Sequence, residues 1–305
     1  MSLWRALLAS ATLVLLLGGC GGGTTDPESA SCPTPATTVG PRSQRADHTE
    51  VPIAFTCEGA KIAGTLYLPP GGAPHPALIW VHGAGQAQRL PWGNGDFLLP
   101  FTQAGFAVFS FDKRGVGESE GECCPGDHGH FNLATADVVG AIDAVRKRQE
   151  IDPARVGLFG ASQAGWIAPR AAVDSGHVSF VVLAAPGIVP FDQEHAYEQL
   201  TGGYGSDKPF PTESEIAKTL EENGPSGFDV VPYLERMNVP ALWLLAGKDQ
   251  EIPLEASLAI LNRLKASGKA YTIHVYPNAN HGLFDVPPTD PQAMPDTLRW
   301  LQEHA

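Results

Sequence analysis

The run Gly160-Ala161-Ser162-Gln163-Ala164-Gly165 sets a serine among small residues where an apolar strand, Arg155-Val156-Gly157-Leu158-Phe159, meets a helical pattern. A strand that turns abruptly into a helix holds its turn residue in a strained backbone conformation. The turn closes only if the positions two before and two after carry little bulk. Gly160 and Ala164 fill them. The strict pattern has glycine at both, so Ala164 departs by one methyl and the next glycine, Gly165, comes one residue late. A serine so placed presents its hydroxyl as a nucleophile; the plainer alternative is a serine capping the following helix.

A nucleophilic serine needs a base, and the base needs an acid that fixes its tautomer and stabilises the imidazolium. Both types follow downstream. The apolar run Ala241-Leu242-Trp243-Leu244-Leu245-Ala246-Gly247 ends in Lys248-Asp249-Gln250-Glu251, with Asp249 just past its end. A further run, Tyr271 to Pro277, leads into Asn278-Ala279-Asn280-His281. In open α/β sheets sites gather at the carboxyl ends of strands, so three strand ends can present Ser162, Asp249 and His281 to one point. Glu251 and Asp285 are rivals for the acid; Asp249 is preferred because it directly follows its strand.

Leu78-Ile79-Trp80-Val81-His82-Gly83-Ala84-Gly85 is another apolar strand opening into a small-residue loop. Such a loop turns backbone N–H groups toward a developing negative charge without side-chain obstruction. The expected oxyanion donors are the N–H groups of Ala84, with Gly83 behind it, and of Gln163. For His82 the expected role is to brace the loop.

These elements together resemble the α/β-hydrolase fold, in particular the serine esterases of its dienelactone hydrolase-like and prolyl-oligopeptidase-like branches. The resemblance covers about residues 50 to 303. It extends to Phe111-Asp112-Lys113-Arg114-Gly115-Val116-Gly117-Glu118-Ser119, which is similar to the D-x-R-G-x-G-x-S loop after the fourth strand, and to Ile151-Asp152-Pro153-Ala154-Arg155-Val156. The resemblance implies that Asp112 and Arg114 are architectural, tying loops by charge-assisted hydrogen bonds. A serine at the elbow argues against the aspartate of dehalogenases and epoxide hydrolases and the cysteine of dienelactone hydrolases proper. Prolyl-oligopeptidase-like peptidases usually carry a propeller for which these residues leave no room, which lowers the peptidase reading.

Strands are expected near 51–56, 62–68, 77–82, 106–112, 155–160, 179–185, 241–247 and 271–277, and helices near 96–104, 132–148, 163–173, 254–267 and 292–303. This alternation implies an α/β domain with a mostly parallel central sheet covered by helices on both faces. At 305 residues and 43% hydrophobic, the chain can bury one sizeable core. The stretch from Pro186 to Val239 is too long for an ordinary connection. A cap is expected there, at about 187–238, with helices near 192–200 and 212–222. Tyr197, Tyr204, Phe210 and Phe228 either line its underside or pack it onto the core.

Residues 1–19 read as a leader: Arg5 precedes the apolar run Ala6 to Leu17, and Leu17-Gly18-Gly19-Cys20 resembles a bacterial lipoprotein box. That resemblance implies lipidation of Cys20, a membrane anchor, and an exported protein held in the periplasm or at the cell surface. Residues 20–48, rich in Gly, Thr, Pro and Ser, are expected to form a flexible tether to a hydrolase domain at 49–305. Export makes Cys32, Cys57, Cys123 and Cys124 disulfide candidates, with all three pairings open. Adjacent cysteines are a poor zinc spacing, and His128 and His130 follow no ligand pattern. No metal and no cofactor are expected.

The net charge of −13 and the lack of a basic stripe argue against nucleic acid as a partner. The expected function is hydrolysis of small carboxylic esters through an acyl-enzyme, with Ser162, His281 and Asp249 as the triad. A small peptidase, amidase or acyltransferase on the same triad is the alternative.

Overall fold

The computed structural model describes residues 30–33, 36–89, 97–123, 128–285 and 288–305. Ten strands form one sheet among them: β1 (Thr37–Val39), β2 (Ser43–Gln44), β3 (Thr49–Cys57), β4 (Ala60–Leu68), β5 (His75–Val81), β6 (Ala107–Phe111), β7 (Ile151–Ala161), β8 (Phe180–Ala184), β9 (Ala241–Ala246) and β10 (Tyr271–Tyr276). The order is β1-β3-β4-β6-β5-β7-β8-β9-β10, with β2 also paired to β3. Pairs from β1 to β6 along this path are antiparallel, and those from β6 to β10 are parallel. The mixed sheet with helices on both sides has the α/β-hydrolase architecture.

Every residue of β8 and β9 is buried, the pattern required of strands covered on both faces. Neighbouring residues alternate between two cores. Leu158, Leu183 and Trp243 join Ile142 and Val145 of α2 (His128–Arg146) and Ala168 of α3 (Ala164–Ser175) on one face. Phe159, Val182 and Leu244 join Phe101 of α1 (Leu99–Gln103) and Trp300 of α8 (Ala293–His304) on the other.

The insertion after β8 holds α4 (Phe191–Thr201), α5 (Glu213–Asn223) and α6 (Val231–Arg236), and α7 (Leu254–Ala266) follows β9. The first two lie close to the expected cap helices. The α6 turn was not expected; it is a short segment with Pro232 in its first turn and Tyr233 and Leu234 buried. Two of the named cap aromatics pack inward: Tyr197 is buried, and Phe228 stacks on Phe131 at 4.9 Å between ring centroids. Tyr204 and Phe210 remain exposed.

The tether expected at 20–48 differs from the structure in its described part. Thr37 to Val39 pair antiparallel with Ile53 to Phe55, and Ser43 and Gln44 pair with Glu50 and Thr49. Cys32 is disulfide-bonded to Cys57 with their Cα atoms 5.2 Å apart, and the N–H of Ala30 donates to Asp174 at 2.9 Å. Both edge strands are fully exposed along their length, so they carry no hydrophobic pattern to read; backbone pairing and a covalent link hold them. The Cys32–Cys57 bond excludes the pairings that join either residue to Cys123 or Cys124. Cys123 is itself disulfide-bonded, and Cys124 lies outside the described residues, as do the leader and Cys20.

Candidate active site

Ser162 sits at the junction of β7 and α3 with φ at 57°, in the left-handed region that non-glycine residues rarely occupy. Its N–H donates to Ala184 O at 3.1 Å, and its carbonyl accepts from the N–H groups of Gly165 at 2.8 Å and Gly187 at 3.0 Å. The small residues flanking it are required by contact. A Cβ on Gly160 would lie 2.5 Å from Ala164 Cβ and 2.6 Å from Val81 O. The methyl of Ala164 is thus accommodated because Gly160 has none. The late glycine has its own reason: a Cβ on Gly165 would stand 2.3 Å from Gly187 O.

Asp249 and His281 are brought together by lacing of the β9 and β10 ends. Gly247 N–H donates to Tyr276 O and Lys248 N–H to Ala279 O, both at 2.8 Å. A Cβ on Gly247 would lie 2.5 Å from Pro277 O, so this approach needs glycine. His281 Nδ1 then lies 3.0 and 3.1 Å from the two carboxylate oxygens of Asp249. The carboxylate is held in turn by the N–H groups of Glu251 at 2.9 Å and Ile252 at 3.0 Å. The His281 loop is drawn to the elbow strand as well, with the Phe284 and Phe159 rings 5.5 Å apart.

The other imidazole nitrogen is also taken. Glu251 Oε2 lies 2.8 Å from His281 Nε2, and its second oxygen accepts from Tyr204 N–H at 3.4 Å. Among the described residues the Ser162 hydroxyl has no hydrogen-bond partner, His281 included. Burial pulls the imidazole down, but the bonds and charges of Asp249 and Glu251 outweigh it and raise His281 to about 10. The ring therefore carries a proton on each nitrogen at neutral pH. The bond to His281 holds Glu251 below its usual range against the opposing effect of burial. Asp285, the other rival acid, accepts from the Tyr204 hydroxyl at 2.5 Å.

The cap is strapped to this acid loop. The Tyr197 hydroxyl donates to Asp249 O at 2.7 Å, the Thr201 hydroxyl to Gln250 O, and Gln250 Nε2 to Ser206 O at 3.0 Å. Glu194 of α4 is buried nearby; burial, then the charges of Glu198, Glu251 and Asp249, push its carboxyl up to about 8.

Across the site, the loop after β5 packs on the elbow, where a Cβ on Gly83 would meet Ala161 O at 3.5 Å and Ser162 Cβ at 3.6 Å. The N–H groups of Ala84 and Gln163 have no acceptor among the described residues. His82 is buried beneath the loop and donates from Nε2 to Phe111 O. Burial lowers it to about 4, so it stays neutral. Asp112 binds Arg89 and the N–H of Glu118, and Arg114 pairs with Asp137. Among the described residues no cluster of three or more His, Cys, Asp or Glu is placed to hold a metal ion.

The prolyl oligopeptidase family model, that of peptidase family S9, matches residues 97–305. The chain belongs to the prolyl oligopeptidase family. Its α/β-hydrolase fold accords with that membership. It is 36% identical over 128 residues to a 31.7 kDa protein of the traX-finO intergenic region of Escherichia coli, covering 40% of this chain and 41% of that one. It is 33% identical over 134 residues to the thiohydrolase aneE of Aspergillus aculeatus, covering 43% and 40% respectively. The matches therefore span about two fifths of those curated relatives. Acetyl xylan esterase 1 from Thermoanaerobacterium sp. JW/SL YS485 has a similar structure, with a TM-score of 0.64, 23% identity and 89% of each chain covered.

Sequence reasoning placed Glu251 only as a rival for the Nδ1 carboxylate, whereas the structure sets it on Nε2. No motif marks that contact, because it depends on how the cap and two strand ends meet. The elbow contacts lead to one expectation. Gly160→Ala should lower stability by about 1–3 kcal/mol through overpacking, and slow Ser162 labelling by a fluorophosphonate probe. Chemical denaturation and timed labelling measure the two effects.

Proposed function

We propose that this serine hydrolase cleaves carboxylic esters through an acyl-enzyme, with Ser162 as nucleophile, His281 as general base and then acid, and Asp249 as the carboxylate that orients the ring. The Asp249–His281 pair carries the reading. A helix-capping serine has no need of a buried carboxylate on an imidazole at the same end of the sheet, whereas nucleophilic catalysis does. The strained backbone of Ser162, on the same edge of the parallel sheet, supports it.

In this reading Glu251 first withdraws from Nε2, the imidazolium, no longer stabilised by that charge, gives its Nε2 proton to solvent, and substrate enters between the neutral His281 and the elbow. Ser162 Oγ attacks the carbonyl carbon while Nε2 takes its proton. The resulting oxyanion is held by the N–H groups of Ala84 and Gln163. Collapse breaks the acyl–oxygen bond and Nε2 delivers the proton to the departing alcohol. Water then adds to the acyl-enzyme by the same route and releases the acid and Ser162. These steps call for no metal or cofactor. The name of the fungal relative, a thiohydrolase, and the esterase neighbour support acyl transfer from activated esters or thioesters. The family match favours a second reading, in which the same triad cleaves amides or peptides.

Ser162→Ala is expected to abolish hydrolysis of p-nitrophenyl acetate, and Asp249→Asn to lower kcat by about 10⁴-fold with the fold retained. Hydrolysis by Ser162→Ala at the wild-type rate would exclude the nucleophile. Equal efficiency on aminoacyl p-nitroanilides would move the function to peptidase.

The pH dependence separates the two carboxylates. The base works only as neutral imidazole, so activity rises with pH through the His281 titration. Removing the Glu251 charge lowers that titration. Glu251→Gln should therefore keep its turnover and shift the acid limb of kcat/KM to lower pH. Loss of turnover equal to that of Asp249→Asn would instead make Glu251 the orienting acid.

We further propose that Cys20 is lipidated and anchors the exported enzyme to a membrane. The support is the Leu17-Gly18-Gly19-Cys20 pattern after an apolar leader. Firm anchoring needs more than one chain, since each buried CH₂ contributes about 0.8 kcal/mol. Expressed in a bacterial host, the wild type should sediment with membranes and Cys20→Ser should appear in the soluble fraction. An unchanged distribution would reject the anchor.

A further inference from the structure

A buried cation lies beneath the loop after β5. Lys113 is 6% exposed, and its ammonium is saturated by three oxygens: Gly83 O at 2.7 Å, Gly85 O at 3.0 Å and the side-chain Oε1 of Gln163 at 3.0 Å. Its own N–H donates to Ala87 O at 3.0 Å, so main chain and side chain grip the same loop. Lysine is seldom buried this deeply. Burial lowers it to about 8, a cost that a purely structural role could avoid with an apolar side chain.

The three oxygens belong to the two segments that carry the proposed oxyanion donors. Gly83 O is the carbonyl of the peptide whose N–H belongs to Ala84. A trans peptide is planar, with its C=O and N–H pointing in opposite directions, so fixing that oxygen fixes the direction of the Ala84 N–H. A charge-assisted bond to the oxygen also draws electron density through the amide and strengthens the N–H as a donor. Gln163 supplies the second donor from its main chain while its side chain is held by the same ammonium.

We propose that Lys113 is the positioning residue of the oxyanion hole, joining the loop after β5 to the residue after the nucleophile, setting the spacing of the two donors and polarising the Gly83–Ala84 peptide toward the developing oxyanion. This rests on the reading of Ser162 as nucleophile and of Ala84 and Gln163 as donors. Lys113 does not touch substrate. Its effect belongs to the charged intermediate and not to the bound ester, so it acts on kcat and leaves KM in place.

The test uses the full chain, p-nitrophenyl acetate as substrate and an aryl trifluoromethyl ketone, which captures the serine as a charged hemiketal. Wild type and Ser162→Ala come first: an inactive wild type, or an equally active Ser162→Ala, rejects the underlying reading before Lys113 is tested. Given an active wild type, Lys113→Met should lose about 100-fold in kcat with KM within about 3-fold, since small misplacement of catalytic groups costs this much. Ketone affinity should fall in parallel. Gln163→Ala, which removes one of the three acceptors, should lose about 5-fold in kcat and add little further loss in the Lys113→Met background, as expected of partners in one network. A folded Lys113→Met with wild-type kcat, or one whose loss lies wholly in KM, overturns the proposal. If Lys113→Met does not fold, Gln163→Ala decides alone: unchanged kcat and ketone affinity overturn it, and the joint loss supports it.

Discussion

The backbone at Ser162 is the constraint on which the site depends. A non-glycine residue in the left-handed region costs of order 1–3 kcal/mol and persists only where its surroundings over-determine it. Here the surroundings are the parallel sheet and the first turn of α3. Ser162 bonds to the end of β8 and to Gly187 beyond it, while Gly160 lets Ala164 and Val81 close around the turn. Because β5, β7, β8, β9 and β10 run parallel, their carboxyl ends share one edge. The loops after β5, β9 and β10 therefore converge on the elbow.

Around His281 the electrostatics serve the cation. Asp249 on one nitrogen and Glu251 on the other stabilise an imidazolium, a form that cannot accept a proton. In the proposed mechanism, withdrawal of Glu251 with loss of the Nε2 proton to solvent turns this ion-pair cluster into a base. Glu251 is held by the N–H of Tyr204, and the neighbouring Asp249 and Gln250 carbonyls are held by Tyr197 and Thr201 of the cap. The cap and the two carboxylates on the imidazole are therefore joined through one short loop. Lys113 makes a comparable link on the side of the proposed oxyanion donors, where one ammonium joins two segments distant in the chain.

Much of this was legible in the residues. The apolar runs that became β5, the second half of β7, β8 and β9 are continuous, as strands covered on both faces must be, and the small residues around Ser162 marked the elbow. The edge strands β1 and β2 were not legible, because an exposed strand bonded on one side has no pattern that distinguishes it from a linker. Nor was α6, which owes its place to the burial of Tyr233 and Leu234. Glu251 and Lys113 were visible only as residues, one a rival acid and the other a letter within the Asp112 loop. Their partners lie on other segments, and side-chain pairing across such distances leaves no local spacing to read.

By itself, then, the order of residues determined the alternation of strand and helix, the position of a strained serine, and the placing of an aspartate and a histidine just past two strand ends. These follow from local sterics and periodicity, which act over a few residues. Only the tertiary structure decided that Asp249 takes Nδ1 while Glu251 takes Nε2, that Cys32 joins Cys57, and that Lys113 lies under both proposed oxyanion donors. Those outcomes depend on which distant groups share a small, poorly hydrated volume, where a few tenths of an ångström decide which partner a charge finds.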